Sequence, residues 1–200
     1  MPGIDLLISR YFSDEIKNNL EPKIKSQVER DLFFQNGMSI KLAIEHFDAF
    51  QSVLKNYYKN NISELEKTCF DKIFTLDKSG DKYILKINNH ELADKIFDYY
   101  GDPESRKILS CIMGKKLTIS EILSESKVLK SPAYRKIENL HLDGLILESG
   151  KILTKNKRVS QYSCIFDNVQ IFLNRKTLEV KCIISRKNLE SSSVYQHGLI

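Results

Sequence analysis

Lys130, Ser131, Tyr134, Arg135 and Lys136 fall within seven residues, and Lys155, Lys157 and Arg158 fall within four. Clustered cations suit phosphate oxygens, and a serine and a tyrosine on the same short segment can reach the edges of bases. Other chemistry has little to work with. Cys69, Cys111, Cys164 and Cys182 are widely separated, each in an apolar segment, and read as buried reduced thiols with no zinc-binding spacing. His46, His90, His141 and His197 are equally scattered. There is no Gly-rich phosphate loop, no catalytic pair of carboxylates and no Ser/His/Asp order. No catalytic residue, metal ligand or cofactor is assigned, and no enzyme is expected.

The elements that must position these residues can be read on either side of them. Asp102-Pro103 opens a helix with a capping Asp and a Pro at the first helical position, and Ile108, Leu109 and Ile112 form its inner stripe up to Gly114. Thr118-Ile119-Ser120-Glu121 is a capping box, so a second helix starts there and buries Ile122 and Leu123. Residues 126–130 read as a turn. Ser131 is expected to cap a third helix, 131–144, with Pro132 at its first position and Ala133, Ile137 and Leu140 inward. That leaves Ser131, Tyr134, Arg135 and Glu138 outward. Gly144 ends the helix, and a hairpin follows with arms near 151–153 and 159–166 and a tip at Lys155-Asn156-Lys157-Arg158.

The first hundred residues read as mainly helical, with helices expected from Ser13, from Pro22 to Gly37, from Ser39 through Tyr57, and over 62–74. Lys82 to Ile87 alternates as a short strand, and 89–100 returns to helix. Aromatic residues here, Phe47 and Phe70 among them, read as core. Val169-Ile171-Leu173 and Leu178-Val180-Cys182-Ile184 alternate on either side of an Asn174-Arg175-Lys176-Thr177 turn. Two strands alone are marginal in water, so this hairpin must pack on the N-terminal part, extend the sheet before it, or pair with a second subunit.

These elements give an α+β chain: an N-terminal mainly helical domain (1–101), a winged helix-turn-helix domain (102–167), a C-terminal β-hairpin (168–188) and a flexible tail (189–200). Charge follows the same division. Residues 1–100 hold 14 Lys/Arg against 16 Asp/Glu, and residues 101–200 hold 17 against 10. A basic second half attached to a near-neutral first half fits a nucleic-acid-binding module. No apolar run approaches the ~20 residues of a membrane span, and the N-terminus lacks a leader pattern, so a cytoplasmic chain without a membrane partner is expected.

On the phrases Ile119-Ser120-Glu121-Ile122, Ser131-x-x-Tyr134-Arg135-x-Ile137-x-x-Leu140, Asp143-Gly144-Leu145-Ile146 and the basic wing leading to Tyr162, residues 102–166 resemble the winged helix-turn-helix of archaeal and bacterial ArsR-like transcriptional regulators. The resemblance implies a recognition helix in the major groove and a wing (151–162) on the phosphate backbone. It carries DNA contact to Ser131, Tyr134, Arg135 and Lys136, with Lys130 at the helix entrance, and to Lys155, Lys157 and Arg158 on the wing. The Cys-rich motif of the metal-sensing members is absent. Ile40-x-x-Ala43-Ile44-Glu45-x-Phe47-x-x-Phe50-x-x-Val53-Leu54, with Leu65-Glu66 downstream, is similar to a small helical output domain of archaeal signalling proteins.

The expected function is therefore a DNA-binding transcriptional regulator. Its expected partner is double-stranded DNA, and its expected state is a homodimer, because one recognition helix reads few base pairs. The N-terminal domain is left for a protein partner or a small effector. The alternative is a winged-helix module that binds other proteins in a signalling or transcription complex, since a fold does not fix a function.

Overall fold

A computed structural model describes residues 4–58, 62–154 and 157–196, which form a mixed α and β architecture with two antiparallel sheets. The helices α1 (Asp5–Asn19), α2 (Pro22–Asn36), α3 (Ile40–Ile44), α4 (Phe47–Leu54) and α5 (Ile62–Asp71) come first. Local signals explain several of their ends. Pro22 takes the first position of α2, where no N–H is needed, and Gly37 closes it at φ 66°. Ser39 caps α3 by accepting the Leu42 N–H at 3.3 Å.

Three expectations are corrected here. The first helix starts at Asp5 rather than Ser13, because Ile4, Leu7, Ile8, Phe12 and Ile16 form one buried stripe that packs on α3 and α5. The helix expected from Ser39 to Tyr57 breaks at Glu45 and His46, which lets Ile40 and Ala43 on one piece and Phe47 and Phe50 on the next both turn inward. Phe12 stacks on Phe70 with ring centroids 4.0 Å apart, inside the cage made by Phe47 and Phe50. The helix expected over 62–74 stops at Asp71, and Phe74 opens a strand.

That strand, β1 (Phe74–Ser79), pairs with β2 (Lys82–Ile87) across the turn at Gly80. Next come α6 (His90–Gly101), capped by Asn89, then α7 (Pro103–Ile112), β3 (Leu117–Thr118), α8 (Ile119–Ser126) and α9 (Lys130–Leu142). The chain continues through β4 (Ile146–Thr154), β5 (Lys157–Cys164), β6 (Asn168–Leu173), β7 (Leu178–Ser185), α10 (Arg186–Glu190) and α11 (Ser193–Gln196). One sheet has the order β1-β2-β7-β6 and the other β3-β5-β4.

Of the three fates open to the C-terminal hairpin, it takes the first. β7 pairs with β2 in the register Tyr83↔Ile184, Leu85↔Cys182 and Ile87↔Val180. Leu85, Val180, Cys182 and Ile184 are fully buried, and α6 packs on this face. The hairpin is thus a rib of the unit that contains the N-terminal helices. The flexible tail expected over 189–200 is also corrected as far as residue 196. Leu189 and Val194 are buried, and the Asp5 carboxylate accepts the Ser192 hydroxyl together with the Ser193 N–H and hydroxyl, both at 2.6 Å. Burial raises the Asp5 carboxyl above its ordinary range, and these donors pull it back down.

The two units meet closely. A Cβ on Gly144 (φ 75°) would lie 2.5 Å from the Leu7 backbone nitrogen, so this position serves both a left-handed turn and a close approach of α1. Beside it, Asp143 accepts the Tyr99 hydroxyl and pairs with Lys95 at 2.9 Å, which ties α6 to the end of α9. No helix of the described residues is long and apolar enough to cross a membrane.

Candidate nucleic-acid interface

Three helices hold the predicted residues, and their ends are well anchored. Asp102 caps α7 by accepting the Ser105 N–H at 2.8 Å, with Pro103 behind it. Thr118 and Glu121 form a reciprocal box on α8. The Thr118 N–H donates to the Glu121 carboxylate at 2.7 Å, and the Glu121 N–H donates to the Thr118 hydroxyl at 3.3 Å. Ile108, Leu109, Ile112, Ile122, Ala133, Ile137 and Leu140 close the interior between the three helices. Lys127 turns the chain between α8 and α9 in the left-handed conformation, at φ 54°.

The third helix begins two residues earlier than the sequence reading places it, with Lys130 rather than Pro132 in its first position. Leu129 is its N-cap and makes no side-chain cap, so Ser131 is not the cap and its hydroxyl is left on the outer surface of the first turn. Pro132 still costs nothing there, because first-turn N–H groups lack intrahelical partners in any case. The first turn of α9 contains no acid and opens instead with Lys130. A helix N-terminus carries partial positive charge, and no acidic side chain of its own first turn offsets it here.

Lys130, Ser131, Tyr134 and Arg135 are exposed together on α9, with Tyr134 44% exposed. Lys136 is not part of this group. Its ammonium sits 2.6 Å from Asp102 and 3.6 Å from Glu104 with the side chain only 19% exposed, so it staples α9 to the start of α7. The pair with Lys136, followed by the Ser105 hydrogen bond, holds the Asp102 carboxyl down at about 2. Arg135 borders the same polar cleft, beside Asp98 and Asn139, and makes no ion pair among the described residues.

The β4–β5 hairpin projects from the far end of α9. His141 joins helix to hairpin, with Nδ1 at 3.1 Å from the Ile146 carbonyl and its ring edge-on to Tyr162. The ladder runs from Ile146↔Cys164 out to Leu153↔Arg158 and Thr154↔Lys157, with a register shift between Glu148 and Gly150. Lys157 and Arg158 are exposed and have no ion-pair partner among the described residues, whereas Lys151 is paired with Glu148 and Lys115 with Glu125. Lys155 and Asn156 lie outside the described residues. The structure therefore gathers Lys130, Ser131, Tyr134 and Arg135 on one helix, sets Lys157 and Arg158 on the outer part of the hairpin, and withdraws Lys136.

Sequence reasoning missed that staple and the acidless first turn. The second was visible as Leu129-Lys130-Ser131 in place of an acid. The first needed two residues 34 positions apart to be brought within bonding distance. Groups that could do other chemistry are held inert. All four thiols are free and pushed up by burial, Cys69, Cys111 and Cys164 to about 11. Among the described residues no group of His, Cys, Asp and Glu could hold a metal ion. Glu66 is fully buried and raised to about 7 by desolvation. One oxygen accepts the Gln51 amide at 3.1 Å and the other has no hydrogen-bond partner among the described residues. A cavity of about 240 Å³ lies where Lys187 and Asn188 of α10 face Lys115, Lys116, Leu147 and Ser163 of the other unit.

Comparison with family models, with curated proteins and with solved structures finds no match to this chain.

Proposed function

We propose that the chain is a transcriptional regulator that binds double-stranded DNA, with α9 in the major groove and the β4–β5 hairpin against the phosphate backbone. The order α7-β3-α8-α9-β4-β5 with the sheet β3-β5-β4 supports a winged helix-turn-helix of the ArsR-like kind. One observation carries the proposal: two cations of α9 and two of the outer hairpin are exposed and make no ion pair among the described residues. Lys130, Arg135, Lys157 and Arg158 are exposed without ion pairs among the described residues, whereas Lys115, Lys136 and Lys151 are spent on acids. Lys130 and Arg135 contact phosphate at the entrance of the helix, and Tyr134 and Ser131 face the base edges. Lys155 joins Lys157 and Arg158 on the wing in this proposal, and catalysis plays no part in it.

The test is a salt titration of binding to duplex DNA by wild type and Arg135→Ala. Steep salt dependence, with affinity about ten-fold lower in the variant, is the expected result. A folded wild type that fails to bind duplex at low salt sinks the proposal. The second reading, a protein-docking module, draws on Phe33 and Phe34 of α2, which are 65% and 77% exposed with ring centroids 5.7 Å apart. It predicts that Phe33→Ser and Phe34→Ser together abolish partner capture and leave DNA affinity unchanged.

A further inference from the structure

The two outer strands of the β1-β2-β7-β6 sheet are built differently. β1 carries Asp77 and Lys78, charges of the sort that keep an unpaired edge from joining another strand. β6 reads Asn168-Val169-Gln170-Ile171-Phe172-Leu173, with no charge, no proline and no break in register. Among the described residues no strand lies beyond it. Leu173 is 72% exposed.

Hydrogen-bond parity shows which backbone groups this edge offers. The Asn174 N–H donates to the Thr177 carbonyl at 3.1 Å, so those two residues form a hydrogen-bonded pair of the hairpin ladder. Such pairs alternate along antiparallel strands. With Phe172↔Glu179, Gln170↔Lys181 and Asn168↔Ile183 in register, the even-numbered residues aim their N–H and C=O groups at β7. Val169, Ile171 and Leu173 aim theirs outward.

We propose that this edge pairs antiparallel with the same edge of a second copy, with Ile171 on the two-fold axis. In that register Ile171 meets Ile171 of the second copy and Val169 meets Leu173. Each outward N–H and C=O of the three residues then finds a partner. Their side chains lie on the same face as Cys182, Val180 and Leu178 across the ladder, so the buried apolar row continues through the junction and covers Leu173. The register also brings Asp167 alongside Arg175 of the second copy at both ends. Arg175 has no ion pair among the described residues, and Asp167, already paired with Lys82 at 3.2 Å through Oδ2, can share its carboxylate with it. Self-pairing of this kind is isologous and closes on itself. The joined sheet ends on β1 at both sides, where Asp77 and Lys78 stop further growth.

The surface is separate from the cationic helix, and its test uses no DNA, so its failure and that of the DNA reading can be told apart. Sedimentation velocity of the full chain at tens of micromolar is expected to show a dimer. Ile171→Lys raises the dissociation constant at least ten-fold, and Thr75→Lys on the opposite edge leaves it unchanged. Ile171→Pro removes an outward N–H and no bond to β7, so it also dissociates the dimer while the far-ultraviolet circular dichroism stays constant. Under mild oxidation Ile171→Cys cross-links to itself, because a hydrogen-bonded antiparallel pair holds its Cα atoms about 5.5 Å apart. A monomeric wild type, a dimer that survives Ile171→Lys, or an Ile171→Cys chain that does not cross-link overturns the proposal.

Discussion

The β4–β5 and β6–β7 hairpins are each short, antiparallel and cationic near the turn, yet they are held in different ways. β7 is gripped from both sides, by β2 and β6, and Val180, Cys182 and Ile184 are buried beneath α6. The β4–β5 hairpin is anchored only at its base. Ile146, Leu147 and Cys164 are buried there, β3 pairs only with Tyr162 and Gln161 of β5, and from Gly150 outward the strands are exposed or half-exposed. Alternation within a hairpin decides that two strands pair. What stands behind one face decides whether the result is a rib or a free arm.

The largest effect separates the two arms by stability. Val180→Asp places an unpaired carboxylate in a dry face and is expected to cost about 4 kcal/mol or more, measured by urea unfolding. Val159→Asp, at a half-exposed position on the free arm, is expected to cost less than about 1 kcal/mol. Equal losses would show that the arm is as deeply supported as the rib.

The second effect tests the helical layer beside the rib's sheet, where Glu66 sits on α5. Its carboxyl is raised from 4.5 to about 7, so the folded state holds a proton that the unfolded state releases first. Stability therefore falls as pH rises from about 4.5 to about 7 and then levels off. Glu66→Gln is expected to raise stability at pH 8 by an amount of the order of 3 kcal/mol, and by little at pH 5. An equal gain at both pH values would assign the effect to packing alone.

Lys157→Ala with Arg158→Ala is expected to reduce the log–log salt slope of DNA binding by about 1.8, at about 0.9 per lost phosphate contact, with no change in Tm. Arg175→Ala with Lys176→Ala, at the turn of the rib, should leave the slope alone. The smallest effect concerns the staple. Asp102 is held at about 2, so its contribution is complete above the ordinary carboxylate range and is lost only as pH falls from about 4 towards about 2. Asp102→Asn releases Lys136 at neutral pH and is expected to steepen the salt slope by less than about 0.9.

Features written in adjacent residues were legible. The Asp102-Pro103 entry, the Thr118–Glu121 box, the Gly37 and Gly144 stops and the inward set Ala133, Ile137 and Leu140 all stand in the structure as local physics requires. Features that depend on distant partners were not. Nothing near Lys136 indicates Asp102, and nothing near Ile87 indicates Val180, its neighbour in the sheet. Ser131 looked like a cap because Ser-Pro favours one, but the turn at Lys127 feeds the chain in early enough for Lys130 to be helical. The serines near the end of the chain read as a polar tail only because Asp5, which they bind, lies at the other end.

The partnership of Asp5 with Ser192 and Ser193, together with the insertion of β7 beside β2, has a consequence for the order in which the molecule can be made. Residues 103–164 contain all three strands of their own sheet, so a ribosome that has delivered them has delivered a unit able to close. The strands β1 and β2 emerge earlier, but they wait with an uncovered edge until residues 178–185 arrive. The first helix waits longer still, until 193 is clear of the exit tunnel. Folding is thus completed from the middle outward, and α1, made before that middle, is sealed after it.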